Sequence, residues 1–350
     1  MTDTRSSIID VAKKAGVSIA TVSRVLNGSE KVRPETRKKV LSIINEMKYA
    51  PNPAARGLIM RKMEAIGLLL PDLHGEFFSE VIRGADEAIQ HQGYHLIVSS
   101  SHNDPKEIEA AIRFMRGRVD GLVVMSPQVD SELLLTNLPK GLPVVLLNCH
   151  INNPHFDTIV TDGFGGARDM ITYLISTGHT SIAVVKGGEN NIESQERLRG
   201  YRAAMTKFGL PVKKENEFAG DFTEASGFDA ARKILELKLR PTAIFTFNDS
   251  MAIGAIGAIR EAGLRIPDDI SICGFDDIPV AKFLSPSLTS VHIPIHELGA
   301  MAINRVFDRL QKRTKGDAAH IFVPTTLSVR NSCKTISGIS KVGEGKSGAQ

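Results

Sequence analysis

The chain has 350 residues, enough for two or three domains, and its 42% hydrophobic and 23% charged content is ordinary for a soluble protein. No apolar run approaches the roughly 18 residues of a membrane span, and the start lacks the basic-then-apolar order of a secretory signal. The three cysteines, Cys149, Cys273 and Cys333, show no CxxC or Cys/His spacing, which suits a reducing compartment. We therefore expect a cytoplasmic protein with no membrane contact, no metal site and no cofactor.

Positive charge is concentrated at the start of the chain. Residues 1–62 carry 13 Lys and Arg against 5 Asp and Glu, a net charge of +8, whereas the remainder carries −4. Lys and Arg that displace DNA counterions supply the sequence-independent part of DNA affinity. A solvated helix surface would explain any single lysine, but it explains the segregation less well, so the pattern favours nucleic-acid binding by this segment.

Residues 8–27 predict two short helices joined by a tight turn. Two apolar faces at helical spacing are formed by Ile8, Val11, Ala12 and Ala15 and by Val22, Val25 and Leu26. Gly16 between them can take the positive φ of a turn, and Ser18 can cap the second helix. This pattern is typical of a helix-turn-helix, whose second helix enters the DNA major groove, with a generic helical hairpin as the alternative.

A third helix and a short hinge follow. Pro34 fits a first helical turn, and its apolar stripe comprises Val40, Ile43, Ile44 and Met47. In residues 52–59, Asn52 can cap and Pro53 can begin a helix that is too short to be stable alone. A plain linker needs no leucine, and the functional alternative is a helix that forms on DNA and inserts Leu58 between base pairs in the minor groove.

From Ala65 onwards, short apolar strands alternate with amphipathic helices such as 79–92 and 106–116. Strands are predicted at 66–70, 94–99, 119–125, 144–148, 182–186, 243–247, 270–275 and 321–330. This alternation indicates parallel sheets covered on both faces, and two sheets fit the length better than one. Ligands of such sheets bind outside the carboxyl ends of the strands.

Aromatic and polar residues follow several of these strands. Phe77-Phe78 can stack on a flat ring, whereas Asn148, Asn248-Asp249 and Asp276-Asp277 can bind hydroxyl groups. Packing at a helix start explains the phenylalanines equally well, and a turn or helix cap explains the aspartates. Their convergence at strand ends favours a pocket.

Several motifs occur in an order that matches a known family. They are Asp10-Val11-Ala12, Ala15-Gly16-Val17-Ser18, Thr21-Val22-Ser23-Arg24-Val25-Leu26-Asn27, Thr36-Arg37, Pro51-Asn52-Pro53-Ala54-Ala55-Arg56-Gly57-Leu58, Arg197-Leu198-Arg199-Gly200-Tyr201, Asn248-Asp249-Ser250-Met251-Ala252-Ile253-Gly254 and Gly274-Phe275-Asp276-Asp277. From about Ile8 to Arg330, the chain resembles the lactose-repressor/galactose-repressor (LacI/GalR) family of bacterial transcription regulators.

The resemblance implies an N-terminal all-α helix-turn-helix headpiece and a two-lobed α/β effector domain built like a periplasmic binding protein. We expect the headpiece at 1–50, the hinge helix at 51–63, the effector-binding and dimerisation domain at 64–332 and a disordered tail at 333–350. Lobe one is expected at about 64–163 and 294–321, and lobe two at about 164–293 and 322–332.

The resemblance also implies which residues contact DNA. Ile19, Ala20 and Arg24 match positions that read bases, and Arg24 is the strongest candidate because a guanidinium can bond guanine O6 and N7 together. Cap or phosphate contacts are expected from Ser18, Thr21 and Ser23. The predicted DNA-binding set is completed by Asn27, Ala55 and the minor-groove Leu58. Family members bind a near-palindromic operator as dimers, so a homodimer on double-stranded DNA is expected here.

By the same resemblance, seven residues match ligand-cleft positions: Phe77, Phe78, Asn148, Arg197, Phe222, Asn248 and Asp276. Paired phenylalanines occur in sugar-binding and purine-binding relatives alike, so a purine or nucleoside stays open beside the carbohydrate that we favour. A ligand that prefers one lobe arrangement would change operator affinity by about 5- to 150-fold. We expect a repressor that a carbohydrate releases from DNA.

Other classes of protein fit less well. Residues 162–166 lack the G-x-G-x-x-G register of a dinucleotide loop, and the ten histidines show no metal or nucleophile spacing, so an enzyme is not expected. A solute-binding transport protein would need a signal peptide and would have no use for residues 1–58. The Gly-, Ser- and Lys-rich residues 332–350 contain no leucine heptad, which leaves a dimer as the default.

Overall fold

The computed structural model describes residues 7–26, 29, 31–49, 62–90, 92–127, 131–139, 141–151, 153, 155–311 and 318–336. The chain divides into an N-terminal unit that ends at Met63 and a larger unit that begins at Glu64. In the described ranges, no helix has the length and apolar content that crossing a membrane would require.

The described part of the N-terminal unit contains three helices, in agreement with the apolar spacing. They are α1 (Ile8–Ala15), α2 (Ile19–Leu26) and α3 (Pro34–Glu46). Ser7 and Asp10 form a reciprocal capping box at the start of α1, and Gly16 ends the helix with a φ of 65°. The small core contains Val11, Ala12, Ala15, Val22, Val25, Val32, Val40, Ile43 and Ile44.

Lobe one of the larger unit is built on a six-stranded parallel sheet in the order β11-β5-β4-β3-β1-β2. Its strands are β1 (Ala65–Leu70), β2 (His95–Ser100), β3 (Gly121–Met125), β4 (Val144–Leu147), β5 (Asp157–Thr161) and β11 (His320–Val323). Its helices are α4 (Glu76–Gln90), α5 (Pro105–Met115), α6 (Ser131–Asn137) and α11 (Ile295–Leu310).

Lobe two is built on a second six-stranded sheet in the order β12-β10-β9-β8-β6-β7, in which only β12 is antiparallel to its neighbour. Its strands are β6 (Ile182–Val185), β7 (Glu217–Phe218), β8 (Ala243–Thr246), β9 (Ser271–Asp276), β10 (Thr289–His292) and β12 (Thr326–Ser328). Its helices are α7 (Gly163–Ser176), α8 (Ile192–Lys207), α9 (Glu224–Leu235) and α10 (Asp249–Glu261). The two-sheet α/β architecture expected from the sequence is confirmed.

The chain passes between the two lobes three times, after β5, after β10 and after β11. The second passage brings α11 back to lobe one, where Arg305 and Arg309 both bind the buried carboxylate of Asp157 on β5 at 2.8 Å. Burial opposes ionisation of Asp157, but the hydrogen bonds from Arg309 and Arg305 outweigh it and lower its pKa to about 2. The returning helix is therefore fixed to the sheet by charge-assisted hydrogen bonds.

The prediction of one last strand at 321–330 is wrong. Two short strands occupy this range, and they lie in different sheets because β11 pairs with β5 whereas β12 pairs with β10. Pro324 follows β11 directly and has no N–H with which to continue a ladder. The expected lobe boundary at 321/322 therefore falls inside β11.

The expectation that disorder begins at 333 is also wrong for residues 333–336. The backbone N–H of Lys334 donates to Ser271 Oγ at 3.1 Å, and that of Ile336 donates to the Thr177 carbonyl at 2.8 Å. The segment is held because it extends the hydrogen bonding of lobe two beyond β12. The rest of the expected tail, 337–350, lies outside the described residues.

Helices α9 and α10 pack so closely that two glycines are required at their contact. A Cβ on Gly254 would lie 1.8 Å from the Glu224 carbonyl oxygen, and one on Gly227 would lie 2.1 Å from that of Met251. Gly257, one turn further along α10, is exposed, and a Cβ there would meet only the ring of Phe228 at 3.5 Å. Gly254 and Gly257 on α10 therefore allow a close helix contact to be compared with an exposed position on the same helix.

We expect Gly254→Ala to lower the free energy of unfolding by about 1–3 kcal/mol, because a backbone atom must move to admit the methyl group. Gly257→Ala is expected to raise it by up to about 1 kcal/mol, because alanine is the better helix former. Urea unfolding followed by circular dichroism measures both. Equal effects of the two substitutions would contradict the close helix contact.

Candidate functional site

The second helix of the N-terminal unit presents one exposed face. Ile19, Ala20 and Arg24 are exposed on α2, whereas Val22 and Val25 on its other side are buried in the core. Ile19 is 47% exposed, so its side chain is available for apolar contacts. The structure thus brings the three predicted base-reading residues together on the surface.

Ser18 begins this helix in the way that the sequence predicts. Its Oγ accepts from the backbone N–H of Thr21 at 3.2 Å and lies 2.9 Å from the hydroxyl of Thr21. Two of the predicted cap or phosphate residues therefore act on the helix start itself, while Ser23 is half-buried further along. The other predicted DNA contacts, Asn27, Ala55 and Leu58, lie outside the described residues, as does most of the expected hinge.

A cleft lies at the carboxyl ends of the strands of both sheets in the larger unit. It encloses about 960 Å³, part of which is open to solvent. The residues that the sequence assigns to a ligand site all line it: Phe77, Phe78, Asn148, Arg197, Phe222, Asn248 and Asp276. Phe77, Phe78 and Asn148 come from lobe one and the other four from lobe two, so the cleft separates the lobes.

Three of these residues have strained backbones. The φ angles are 48° for Asn148, 72° for Phe222 and 105° for Asp276, in a range that residues other than glycine rarely adopt. Strain of this kind costs about 1–3 kcal/mol per residue and is concentrated at functional sites, where the surrounding structure enforces it. Asn148 directly follows the buried strand β4, and Asp276 is the last residue of the buried strand β9. The strained backbone positions therefore lie at the strand ends that line the cleft.

The aromatic residues form two walls. Phe77 and Phe78, in the first turn of α4, pack edge to face with ring centroids 5.4 Å apart. Across the cleft, the ring of Phe222 lies against Gly187, where a Cβ would come within 2.0 Å of the ring. Asn248 fixes the backbone at Phe222, since its Nδ2 donates to the Phe222 carbonyl at 2.9 Å while its Oδ1 caps α10.

A buried ion pair forms the floor of the cleft. Arg197 Nη2 lies 3.4 Å from Asp276 Oδ1, and the guanidinium stacks over the ring of Phe275 at 3.8 Å from its centroid. Burial raises the pKa of Asp276 to about 7, although Arg197 opposes that rise. Within the described part of the chain, Arg197 Nε and Asp276 Oδ1 have no hydrogen-bond partner, which is unmet capacity of the kind that bound ligands satisfy.

The neighbouring acids Asp249 and Asp277 serve the framework instead. Asp249 is fully buried and accepts from Ser290 Oγ at 2.6 Å and from the Ile278 N–H at 2.9 Å, which holds the turn after β9. Burial and the proximity of Asp276 raise the pKa of Asp249. Asp277 pairs with Arg330 at 2.7 Å and accepts from Ser328 at 2.7 Å, which ties β9 to the last strand.

Glu193 and His150, which the sequence analysis does not single out, join the lobes at this floor. Glu193 Oε1 lies 2.9 Å from His150 Nε2, and Oε2 accepts from Thr161 Oγ1 at 3.4 Å. The hydrogen bond to Glu193 raises the pKa of His150, against the effect of burial. His150 and Thr161 belong to lobe one and Glu193 to α8 of lobe two. The i, i+4 spacing of Glu193 and Arg197 and the position of His150 just after β4 are the signals that could have found them.

Two further contacts bridge the lobes. The Ile192 N–H donates to the Pro127 carbonyl at 3.0 Å, and the Val280 N–H donates to Glu76 Oε2 at 2.9 Å. We name the pair of His150 and Glu193 the interlobe clasp. The clasp and these two further contacts can together hold the lobes in the arrangement seen here.

Comparison with known proteins agrees with both parts. The model of the lacI family of bacterial regulatory proteins matches residues 7–52, and that of a periplasmic binding protein-like domain matches 171–333. Catabolite control protein A of Priestia megaterium is 37% identical over 330 residues, 94% of this chain and 99% of that protein. The HTH-type transcriptional repressor PurR of Pasteurella multocida is 36% identical over 333 residues, with the same two coverages of 94% and 99%.

Solved structures extend the likeness to three dimensions. The lac repressor dimer bound to operator and the anti-inducer ONPF matches with a TM-score of 0.82 and 28% identity, covering 94% of this chain and 99% of that one. A complex of the transcriptional regulator CelR with cellobiose matches with a TM-score of 0.71 and 30% identity, covering 94% and 100%. The chain belongs to the lacI family of bacterial transcription regulators, as a DNA-binding repressor with a periplasmic-binding-protein-like effector domain.

Proposed function

We propose that this regulator binds a near-palindromic operator as a homodimer and that an uncharged carbohydrate, bound in the cleft, releases it. The exposed Ile19, Ala20 and Arg24 on a capped helix support base reading, and the lac repressor is solved as a dimer on operator. The observation that carries the effector class is the combination of aromatic walls and an acidic floor in one cleft.

Charge argues against an anionic effector. Five carboxyl groups line the cleft, against one guanidinium and one imidazole: Asp72, Glu193, Asp221, Glu224 and Asp276, with Arg197 and His74. Asp276, with its pKa raised to about 7, carries only part of a negative charge at neutral pH. Arg197 donates to the Phe247 carbonyl and faces the carboxylates of Asp276 and Glu193, so its charge is already balanced. A phosphorylated sugar would meet net repulsion, whereas neutral hydroxyl groups would find acceptors.

A nucleobase is the second candidate, because the rings of Phe77 and Phe78 could also stack on a flat heterocycle. The alternation of aromatic rings and carboxylates suits a sugar better, since a pyranose presents apolar C–H faces and a rim of hydroxyl donors. CelR, one of the solved relatives, is complexed with a disaccharide, cellobiose.

We propose that release from DNA acts through the ligand's differential affinity for two lobe arrangements. A ligand that contacts Phe78 from lobe one and Asp276 from lobe two binds the closed arrangement better than an open one, so it shifts the population toward closure. Coupling of about 1–3 kcal/mol between the cleft and the headpieces would change operator affinity by about 5- to 150-fold. We propose that the hinge expected at 51–63, most of which lies outside the described residues, is the connection.

A thermal-shift screen tests the effector class. We expect uncharged mono- or disaccharides to raise the melting temperature, and their phosphate esters and purine nucleosides to leave it unchanged. Phe78→Ala should abolish the shift because it removes a stacking wall, while the matched Phe114→Ala should retain it, since Phe114 is exposed on lobe one and does not line the cleft. A larger shift with a phosphate ester or a nucleoside would overturn the carbohydrate assignment.

Arg24→Ala is expected to cost about 1–3 kcal/mol of operator affinity and to relax the preference at one base pair per half-site, because a bidentate base contact is lost. Binding to a set of singly substituted operators, at fixed ionic strength, measures both effects. Arg113→Ala, an exposed arginine of the effector domain, is the control and should bind as the unaltered protein does. An equal loss on every sequence would assign Arg24 to the phosphate backbone.

The interlobe clasp predicts a pH dependence. Because its bond to Glu193 raises the pKa of His150, the clasp stabilises closure fully below the ordinary histidine pKa and is lost as the pH rises through the raised value. Effector affinity of the unaltered protein relative to His150→Gln should therefore fall about fivefold, or about 1 kcal/mol, from pH 6 to pH 9.

Isothermal titration of both proteins at each pH gives this ratio. Asp276 titrates in both proteins, so the ratio reports the part of the pH dependence that requires His150, including its effect on Asp276 through Glu193. A ratio that stays constant with pH, or that rises, would show that the clasp does not stabilise the bound form.

A further inference from the structure

Two cysteines that are 60 positions apart in the chain meet in lobe two, away from the cleft residues. Cys273 lies in β9, and Cys333 follows β12 in the segment that extends to Ile336. The Ile272 N–H donates to the Ser332 carbonyl at 2.9 Å, and the thiol of Cys333 donates to the Ile272 carbonyl at 3.2 Å. The thiol of Cys273 donates to the Ile244 carbonyl at 3.7 Å. These contacts place Cys333 against the residue that precedes Cys273, so the two cysteines are neighbours in space.

The two thiols differ in their surroundings. Cys273 is fully buried, whereas Cys333 is partly exposed. The polar side chains around it, with Cys273 the largest influence and Thr289 and Ser332 smaller ones, lower the pKa of Cys333, while burial raises that of Cys273. A partly exposed thiol with a lowered pKa is more reactive than a buried one, and a neighbouring buried cysteine can act as the resolving thiol.

We propose that Cys333 and Cys273 are a peroxide-reactive thiol pair that closes an intramolecular disulfide within lobe two. The inference does not depend on the effector or on the operator.

The chemistry balances in two steps. The Cys333 thiolate attacks one oxygen of hydrogen peroxide, the O–O bond breaks, and the leaving hydroxide takes up a proton to form water, which leaves Cys333 as a sulfenic acid. The Cys273 sulfur then attacks the Cys333 sulfur, the S–O bond breaks, and the hydroxide leaves with the proton of Cys273 as a second water. Two thiols are oxidised by two electrons, and one peroxide is reduced to two waters.

The segment that carries Cys333 is already fixed against the sheet. The Lys334 carbonyl accepts a hydrogen bond from His179 Nε2 at 3.0 Å, and the Ile336 N–H donates to the Thr177 carbonyl at 2.8 Å. The hydroxyl of Ser332 donates to the Ile272 carbonyl at 2.6 Å. Because both segments are already ordered next to each other, little chain entropy is lost when the bond forms.

Cys149, the third cysteine of the chain, is an internal control. It is fully buried after β4 in lobe one, next to the carbonyls of Leu147, Ser126 and Val124 at 3.5, 3.6 and 3.7 Å. Burial raises the pKa of its thiol to about 12. A fully buried, protonated thiol should not meet and reduce peroxide while the protein is folded. Cys273 is equally buried, but in the proposed sequence it attacks the oxidised sulfur of the neighbouring Cys333 and not peroxide itself.

The test is the number of thiols that remain after the full-length reduced protein is treated with hydrogen peroxide, quenched and unfolded in the presence of a thiol reagent. We expect the count to fall from three to one in the unaltered protein and from two to none in Cys149→Ser. Peptide mapping should find Cys273 linked to Cys333 in one chain, and dithiothreitol should restore both thiols.

Variants of the pair separate the two roles. Cys273→Ala should accumulate a sulfenic acid at Cys333 that dimedone labels, and Cys333→Ser should lose no thiol in the same time. Circular dichroism shows whether Cys273→Ala folds. If it does not, the thiol count and the peptide mapping of the unaltered protein and of Cys149→Ser still test the proposed disulfide. Three surviving thiols, oxidation of Cys149 at the same rate, or disulfides only between chains would overturn the proposal.

Discussion

The arrangement of the effector domain depends on one desolvated carboxyl group, Asp276, at the carboxyl end of β9. Its burial is tolerated because Arg197 lies beside it, and Arg197 is in turn held by the ring of Phe275 and by Glu193. Glu193 contacts His150 and Thr161 of the other lobe. A single carboxyl group placed at a strand end therefore organises the cleft floor and links it to the surface across which the lobes meet.

Much of this could be predicted from the sequence because its strongest signals are periodic. The apolar spacing of α1 and α2, the cap at Ser18 and the turn at Gly16 act within a few residues, so local rules are sufficient. The buried strands β1, β3 and β8 are almost entirely apolar, so the sequence alone predicts them. Positions of the seven cleft residues came from the family resemblance and from the rule that ligands meet strand ends.

What sequence reasoning missed is decided by contacts between distant segments. The strands β5, β7 and β10 contain Asp, Glu, Thr, Ser and His, so they lack an apolar run, and partners such as Arg305 for Asp157 are needed to explain them. In the linear motif, Asp249 and Asp277 resemble ligand-binding residues. In the structure they accept hydrogen bonds from Ser290 and Ser328, so they stabilise the fold. The ordered residues 333–336 are held by Thr177 and Ser271, which no local pattern could indicate.

The three passages between the lobes also determine when each part can form during synthesis. The core of the helix-turn-helix unit uses only residues up to Tyr49, so its apolar contacts are complete once the start of the chain has left the ribosome. Lobe two lacks its edge strand until Thr326–Ser328 is made, and lobe one lacks β11 until Val323. Newly made chains therefore hold the complete apolar core of the helix-turn-helix unit for most of translation, while the two lobes of the effector domain are completed last.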